Sequence, residues 1–435
     1  MGPRAALSVI ACAANLSAAR ADTSNERPYV VGARASGMGG AFTALADDGA
    51  GPYYNPGGIA FATQSSLSLF VSAYALTTGT FDNALGDGHD FTYRTLDTFP
   101  VSTSIVYLFG DHDPGTPAPH AFALSAFVPD AIRIDDRDTL GSVDNAFFFT
   151  YQTRTVWAGA TYAHRSGRFG IGAGAFLLIG DSTNSFDITS TAATTSHVPF
   201  ETITARTDVT SIGVVATAGA RWDPTDHLHV GLAVYTPAVG GGERRLFARA
   251  TLDSGEPGGA QAMVVNNDKL HATPNEPLRV QSGVAWSDDG WTLAGDVILL
   301  GPRVVDDDRD LADQGLERRL VRHTVVDASL GVERLVRGSF PIRAGAFTDF
   351  AANPDPVAQP GNIGVDLPNA AHVDHYGVTT SLGYRTAHTA TNFGVVLNYG
   401  TGHGLTPDNL DFTRLVPQPT HQLAIYALAS SSYEF

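Results

Sequence analysis

The residues from Ala35 to Ala60, "ASGMGGAFTALADDGAGPYYNPGGIA", hold the densest set of small and polar groups in the chain, and the first chemistry they suggest is phosphate binding by a glycine-rich loop. That chemistry needs a strand before the loop, a helix after it and a third glycine in register. Here Phe42 stands where the third glycine belongs, and no strand-like run precedes Gly37. Other reactive patterns fare no better. The chain has no G-x-S-x-G elbow, no H-E-x-x-H and no paired-cysteine metal site, so neither an enzyme activity nor a cofactor is expected. A Ser-His pair on a barrel wall is the one catalytic arrangement that spacing alone leaves open. The acidic stretches "DHDPGTPAPH" and "VVDDDRD" have oxygen ligands for calcium but lack EF-hand spacing, and read as solvated loop charge.

Composition narrows the class. The 435 residues carry 27 Lys+Arg against 44 Asp+Glu, a net charge of -17, which argues against a nucleic-acid partner. Charged residues are 16% of the chain, well below the roughly 25% of soluble domains, while glycine reaches 46. Arg4, the apolar run Ala5 to Ala14 and the Ala19-Arg20-Ala21 site predict a secretory signal over residues 1–21. The competing reading is a lipoprotein attached at Cys12, the sole cysteine; cleavage after Ala21 would leave the mature chain without any. No run approaches the roughly 18 apolar residues of a membrane helix. The chain is exported without a helical anchor.

What must then position any site is a set of strands. Period-two alternation recurs along the chain: Val326, Ala328, Leu330 and Val332 on one face oppose His323, Asp327, Ser329, Gly331 and Glu333 on the other. Fourteen such stretches are predicted, near 64–78, 98–110, 120–135, 147–165, 168–184, 205–222, 227–238, 276–287, 290–303, 321–336, 340–351, 372–386, 390–401 and 420–435. Tight turns at 165–168, 223–227, 287–290, 336–340 and 386–390 alternate with long loops at about 183–204, 239–275, 304–320, 352–371 and 402–419. Short turns on one rim and long loops on the other predict an all-β outer-membrane barrel, in contact with outer-membrane lipid, rather than an extracellular sandwich or adhesin. The turn at 111–119 is too long for this scheme and has no account at this level. The terminal Phe435, in line with Tyr433, Ala429, Ala427, Ile425 and Leu423, resembles the signal read by the barrel-assembly machinery. Fourteen strands tilted by about 40° enclose a circle roughly 28 Å across, which needs a plug. Residues 22–62 precede the first strand and have enough volume to serve as one.

The stretch "GMGGAFTALADDGAGPYYNPGGIA" resembles the N-terminal hatch of the FadL/TodX family of outer-membrane transporters for long-chain fatty acids and other hydrophobic compounds. The match is dense over roughly 30 residues, and strand count, loop alternation and the C-terminal aromatic extend it loosely over the chain. It implies a hatch built on Gly37, Gly39, Ala46, Asp47, Asp48, Asn55 and Pro56, inside a 14-stranded antiparallel transmembrane β-barrel over 63–435. Gly57 departs from the alanine usual in the family. The resemblance also implies passive uptake: capture by extracellular loops, passage to a pocket beside the hatch, and lateral exit through the wall.

Each step has a candidate and a plainer alternative. Pro129 in the third strand cannot donate to a ladder and belongs at a break or bulge; the resemblance makes it the lateral opening, the alternative a simple bulge. Apolar residues in otherwise polar loops, Val198, Pro199, Phe200, Leu246, Phe247, Met263, Val264, Val265 and Leu270, are capture candidates or a loop core. Lumen-facing Arg343, His375 and Arg385 either meet a carboxylate head group or pair with Asp296, Asp327 and Glu333. A structural or secretion-associated barrel of the same fold, with no small-molecule cargo, is the competing function.

Overall fold

The computed structural model describes residues 25, 30–84, 88, 90–98, 102–113, 115–138, 145–191, 200–253, 261–314, 316–360, 370–408 and 411–435. The expected signal, with Cys12, lies outside the described residues. Period-two alternation is realised as fourteen antiparallel wall strands: β1 (Ser66–Phe81), β2 (Ser102–Phe109), β3 (His120–Asp138), β4 (Asn145–Ser166), β5 (Phe169–Thr191), β6 (Phe200–Trp222), β7 (Leu228–Tyr235), β8 (Arg279–Asp288), β9 (Trp291–Leu300), β10 (Val325–Val336), β11 (Phe340–Asp349), β12 (Ala371–Arg385), β13 (Thr389–Asp408) and β14 (Asp411–Glu434). Each pairs with its neighbour in sequence, and β14 returns to β1 from Ser66↔Glu434 to Phe81↔Thr420, which closes the sheet.

The polarity of this sheet is inverted relative to a soluble protein. Leu330 is 66% exposed while its neighbour Ser329 is 1% exposed and Asp327 is fully buried. The same holds along β9, where Leu293, Val297 and Leu299 face out and Asp296 faces in. An apolar outer face with every backbone group paired in a closed ladder is the arrangement that hydrocarbon demands. Trp222, Trp286, Trp291, Phe340, Tyr384, Tyr433 and Phe435 lie exposed at the short-turn ends of their strands and form the aromatic girdle of that rim. No described helix is long and apolar enough to cross a membrane.

The tight turns fall where alternation predicts them. At Asp289-Gly290 both residues have positive φ, 45° and 74°, the twist that suits a two-residue hairpin. The long turn at 111–119 also belongs to this rim, and it folds over its neighbour, with Arg165 N donating to Pro119 O at 2.8 Å. The loops on the other rim differ from expectation. Most of 183–204 is strand: β5 and β6 each run 23 residues, roughly twice the 9–11 needed to cross. Most of 402–419 is likewise strand, in β13 and β14. The outer stretches of β5 and β6 are rich in Thr, Ser and Asn and those of β13 and β14 are interrupted by Gly and Pro, so above the membrane they keep β geometry without the alternation that marks it in sequence. The loop at 239–275 holds a hairpin, Val239–Asp253 with Gln261–His271, whose first arm pairs with the outer half of β6. The loop at 304–320 holds a second hairpin, Arg303–Asp307 with Arg318–Arg322.

Residues 30–62 pack inside the barrel as short pieces: α1 (Ala33–Gly37), α2 (Gly51–Tyr54) and a 3-10 turn at Pro56–Phe61. Backbone is what this segment presents to the wall, and buried polar wall groups answer it. Asp296 Oδ2 accepts from Phe42 N, Thr43 N and Thr43 Oγ1 at 2.8, 2.8 and 2.7 Å. Thr379 Oγ1 accepts from Gly39 N and donates to Gly37 O, both at 3.0 Å. Gly39 has φ 63°, and a Cβ there would meet Ala346 N at 2.7 Å, so only glycine fits.

Two outcomes are expected. Asp296→Ala leaves three buried donors unanswered and loosens the inner segment by about 3 kcal/mol, read as faster amide exchange at Phe42 and Thr43 in a barrel that still resists unfolding. On the outer hairpin, Asp308 Oδ1 lies 2.8 Å from the exposed His271 ring and raises its pKa above the ordinary 6.5. A raised folded pKa means that this contact is fully stabilising below about pH 6.5 and fades as pH rises through the higher value. Asp308→Asn is expected to lower the His271 titration, followed by its ring-proton shift, toward the ordinary value, with Asp307 and Asp310 still raising it.

Candidate functional site

The site grows from the upper surface of the inner segment. Pro52 at the start of α2 fixes a short turn that raises Tyr53 and Tyr54 toward the lumen. The Tyr53 ring lies 5.6 Å from Phe127 and 5.8 Å from Trp157, and Trp157 lies 6.0 Å from Phe176. Arg279 of β8 is stacked into this group, 3.8 Å over Tyr235, 4.9 Å over Tyr53 and 5.4 Å over Trp157. Tyr235 donates from its hydroxyl to Tyr53 O, and Gln281 donates to Tyr54 O, which pins the aromatic floor to the wall.

Above the floor lies a cavity of about 170 Å³. Its walls are polar: Thr153 and Thr155 on β4, Asn184 on β5, Thr207 and Ser211 on β6. The strand Arg318–Arg322 covers it, and alternation turns Arg318, Leu320 and Arg322 into it together. Higher still, an apolar cluster fills the mouth with Phe81, Phe91, Tyr93, Ile134, Phe149 and Leu246 among its members.

Pro129 and Asp130 form one side of the same cavity. The β3–β4 ladder slips between Phe127 and Asp130, so Pro129 sits in a bulge, as its missing N–H requires. On its other edge β3 pairs with β2 only as far as Ala126. Above that point, β1 has taken the separate strand Phe91–Asp97 as its partner, from Ala75↔Asp97 to Phe81↔Phe91. Among the described residues no ladder joins this strand to β3; a bond from Asp135 N to Thr95 Oγ1, 3.3 Å, crosses the seam. A second space of about 40 Å³, lined by Ala131, Ile132, His375 and Tyr426, lies on that side.

The sequence candidates divide among these features. Gly37 and Gly39 meet the wall as described. Asn55 donates to Thr43 O at 2.8 Å and to Ala220 O at 2.9 Å and accepts from Gly57 N at 3.0 Å, joining inner segment, wall and the turn that Pro56 opens. Ala46 has φ 40°, a strained value for a residue with a Cβ, and packs against Gly58. Asp47 pairs with Arg34 at 3.2 Å, and Asp48 accepts from Ala50 N at 2.7 Å.

Of the lumen cations, Arg343 pairs with Glu333 at 2.5 Å and donates to Asn392 at 2.7 Å. Arg385 reaches Glu434 at 3.5 Å, and His375 lies 3.3 Å from Gln422 Oε1. Internal pairing holds for Glu333, whereas Asp296 serves the inner segment and Asp327 accepts from Thr348 Oγ1 and Phe350 N. Arg343 and Arg385 line a space of about 320 Å³ beneath the inner segment, away from the upper cavity.

The capture candidates are not gathered at one groove. Leu246 is buried in the mouth cluster, whereas Phe247 and Val264 are exposed. For Phe200 and Met263 only the backbone is described, opposite Asp253 and Ala250 of the adjoining strand. Sequence reading missed Arg279, Arg318 and Arg322. The inward register of Arg279, two before Gln281 and four before Gly283, was available; that the 304–320 segment is a hairpin folded over the lumen was not.

No protein-family model and no curated protein sequence matches the chain. Solved structures do. A FadL homologue from Pseudomonas aeruginosa superposes with a TM-score of 0.63 at 13% identity, over 94% of this chain and 100% of that one. The toluene transporter TodX of Pseudomonas putida gives 0.61 at 15%, over 93% and 99%. The toluene transporter TbuX of Ralstonia pickettii gives 0.55 at 11%, over 93% and 98%. With its closed ring of fourteen strands, outward apolar face and short-turn rim, the chain has the fold of the FadL and TodX outer-membrane proteins.

Proposed function

We propose that this chain carries hydrophobic small molecules passively across the outer membrane. The observation that carries the reading is one cavity that touches both the inner segment, through Tyr53, and the interrupted ladder, through Pro129 and Asp130. Cargo enters through the apolar mouth around Phe81, Phe91 and Phe149, rests on the aromatic floor and leaves sideways between β3 and the strand Phe91–Asp97. Residues 30–62 act as the hatch. Arg34 bridges Asp47 and Glu333 at 3.2 and 2.8 Å, and Arg221 pairs with Asp47 and Asp223 at 3.5 and 3.0 Å, so ion pairs hold the base while the side stays weakly bonded.

TodX and TbuX, which share the fold, are toluene transporters, and a greasy mouth suits such cargo or an acyl chain. Export by the signal at 1–21 and recognition of Phe435 by the barrel-assembly machinery complete the reading. The ion-paired base also favours a second one, a structural barrel without cargo; the cavity above the base is what weighs against it. Pro129→Val restores the missing donor and the regular register. Uptake of labelled toluene or a fluorescent fatty acid into whole cells is expected to slow several-fold, with folded barrel at wild-type abundance. Unchanged uptake would rule out the sideways exit.

A further inference from the structure

The upper cavity has a composition that a hydrocarbon alone does not explain. Asn184 and Thr207 face each other in register across β5 and β6, are 3% and 2% exposed, and both line the cavity. Among the described residues neither end of the Asn184 amide nor the Thr207 hydroxyl has a hydrogen-bond partner. Polar groups buried in this way cost stability unless something in the space answers them. A hydrocarbon in the cavity would displace water and leave them unanswered, at about 1–3 kcal/mol each.

Size and charge restrict the occupant further. A cavity of about 170 Å³ is close to the roughly 150 Å³ that accepts a benzene ring; a chain of sixteen or eighteen carbons, roughly three times as many as benzene, would extend beyond it. The floor offers the rings of Tyr53 and Trp157, which suit a flat apolar body. The cover brings Arg318 and Arg322 to the same space, and a guanidinium suits a carboxylate by charge and by shape. Acidic groups are also present: Asp130 and Glu276 line the cavity, and Asp307 lies 3.4 Å from Arg318. Arg318 is thus held in place by a carboxylate, and the wall adds the polar groups of Asn184 and Thr207 for the ligand.

We propose that the cavity binds a single-ring aromatic carboxylate, its ring against Tyr53 and Trp157 and its carboxylate toward Asn184, Thr207 and the covering arginines. The proposal rests on the uptake reading and names its substrate class. It is tested by calorimetric titration of the purified full-length barrel with benzoate, acetate and toluene, in the wild type and in an Asn184→Leu/Thr207→Val variant. The variant replaces unanswered polar groups with apolar ones of similar shape, so it is expected to fold at least as well as wild type, checked by its heat-modifiable migration.

Benzoate is expected to bind the wild type at least tenfold tighter than acetate or toluene, and the variant to lose at least tenfold for benzoate while keeping or gaining toluene. Toluene binding without benzoate binding, or benzoate binding indifferent to the variant, overturns the aromatic-acid assignment and leaves hydrophobic uptake standing. Binding of none of these ligands, nor of a fluorescent fatty acid, overturns both.

Discussion

The constraint on which the rest depends is that lipid offers no hydrogen bonds. Around most of the ring the wall N–H and C=O groups are therefore committed to a neighbouring strand, and the sheet must close. Closure turns the apolar residues outward and leaves a polar interior that has to satisfy itself. Asp296, Thr379 and the Arg34–Glu333–Arg343 group are the local solutions, each joining a wall side chain to the inner segment or to another wall group. The inner segment is suited to this because it brings peptide groups, rather than bulky side chains, to the wall.

Against that background the exceptions locate the site. The ladder is regular around most of the ring and fails beside Pro129, where β2 is short and β1 exchanges partners. Among the interior groups left unanswered by the described residues are those of Asn184 and Thr207. Both departures open onto the space above Tyr53. A protein that keeps a broken ladder and unanswered polar atoms around one cavity sacrifices stability there, which is how binding sites commonly differ from the scaffold that holds them.

All fourteen wall strands were legible in the sequence, because a membrane-crossing strand must alternate and a short turn must carry residues such as Asp289-Gly290. The resemblance around Gly37, Asn55 and Pro56 pointed to a segment inside the lumen. Alternation lost its force above the membrane, where the Thr- and Ser-rich stretches of β5 and β6 and the Gly- and Pro-interrupted stretches of β13 and β14 lack a continuous apolar face and read as loop. Leu246, Phe247 and Val264 looked like one apolar group only while their segment was taken as loop; strand geometry sends neighbours to opposite faces. Asn184 and Thr207 are unremarkable in sequence, since their meaning lies in a register between strands that only the folded sheet defines.

The glycine seams between segment and wall bear on the order in which the molecule is put together. Gly345 and Gly331 press against Met38, Gly231 and Gly283 against Thr43, and Gly219 against Asn55, with no room for even a methyl group. Contacts this close, spread over strands from β6 to β11, fit the backbone of the segment to the wall strand by strand. Such a fit favours an order in which residues 30–62 dock while the wall is still an open sheet, so that the pairing of β14 with β1 closes the ring around a segment already in place.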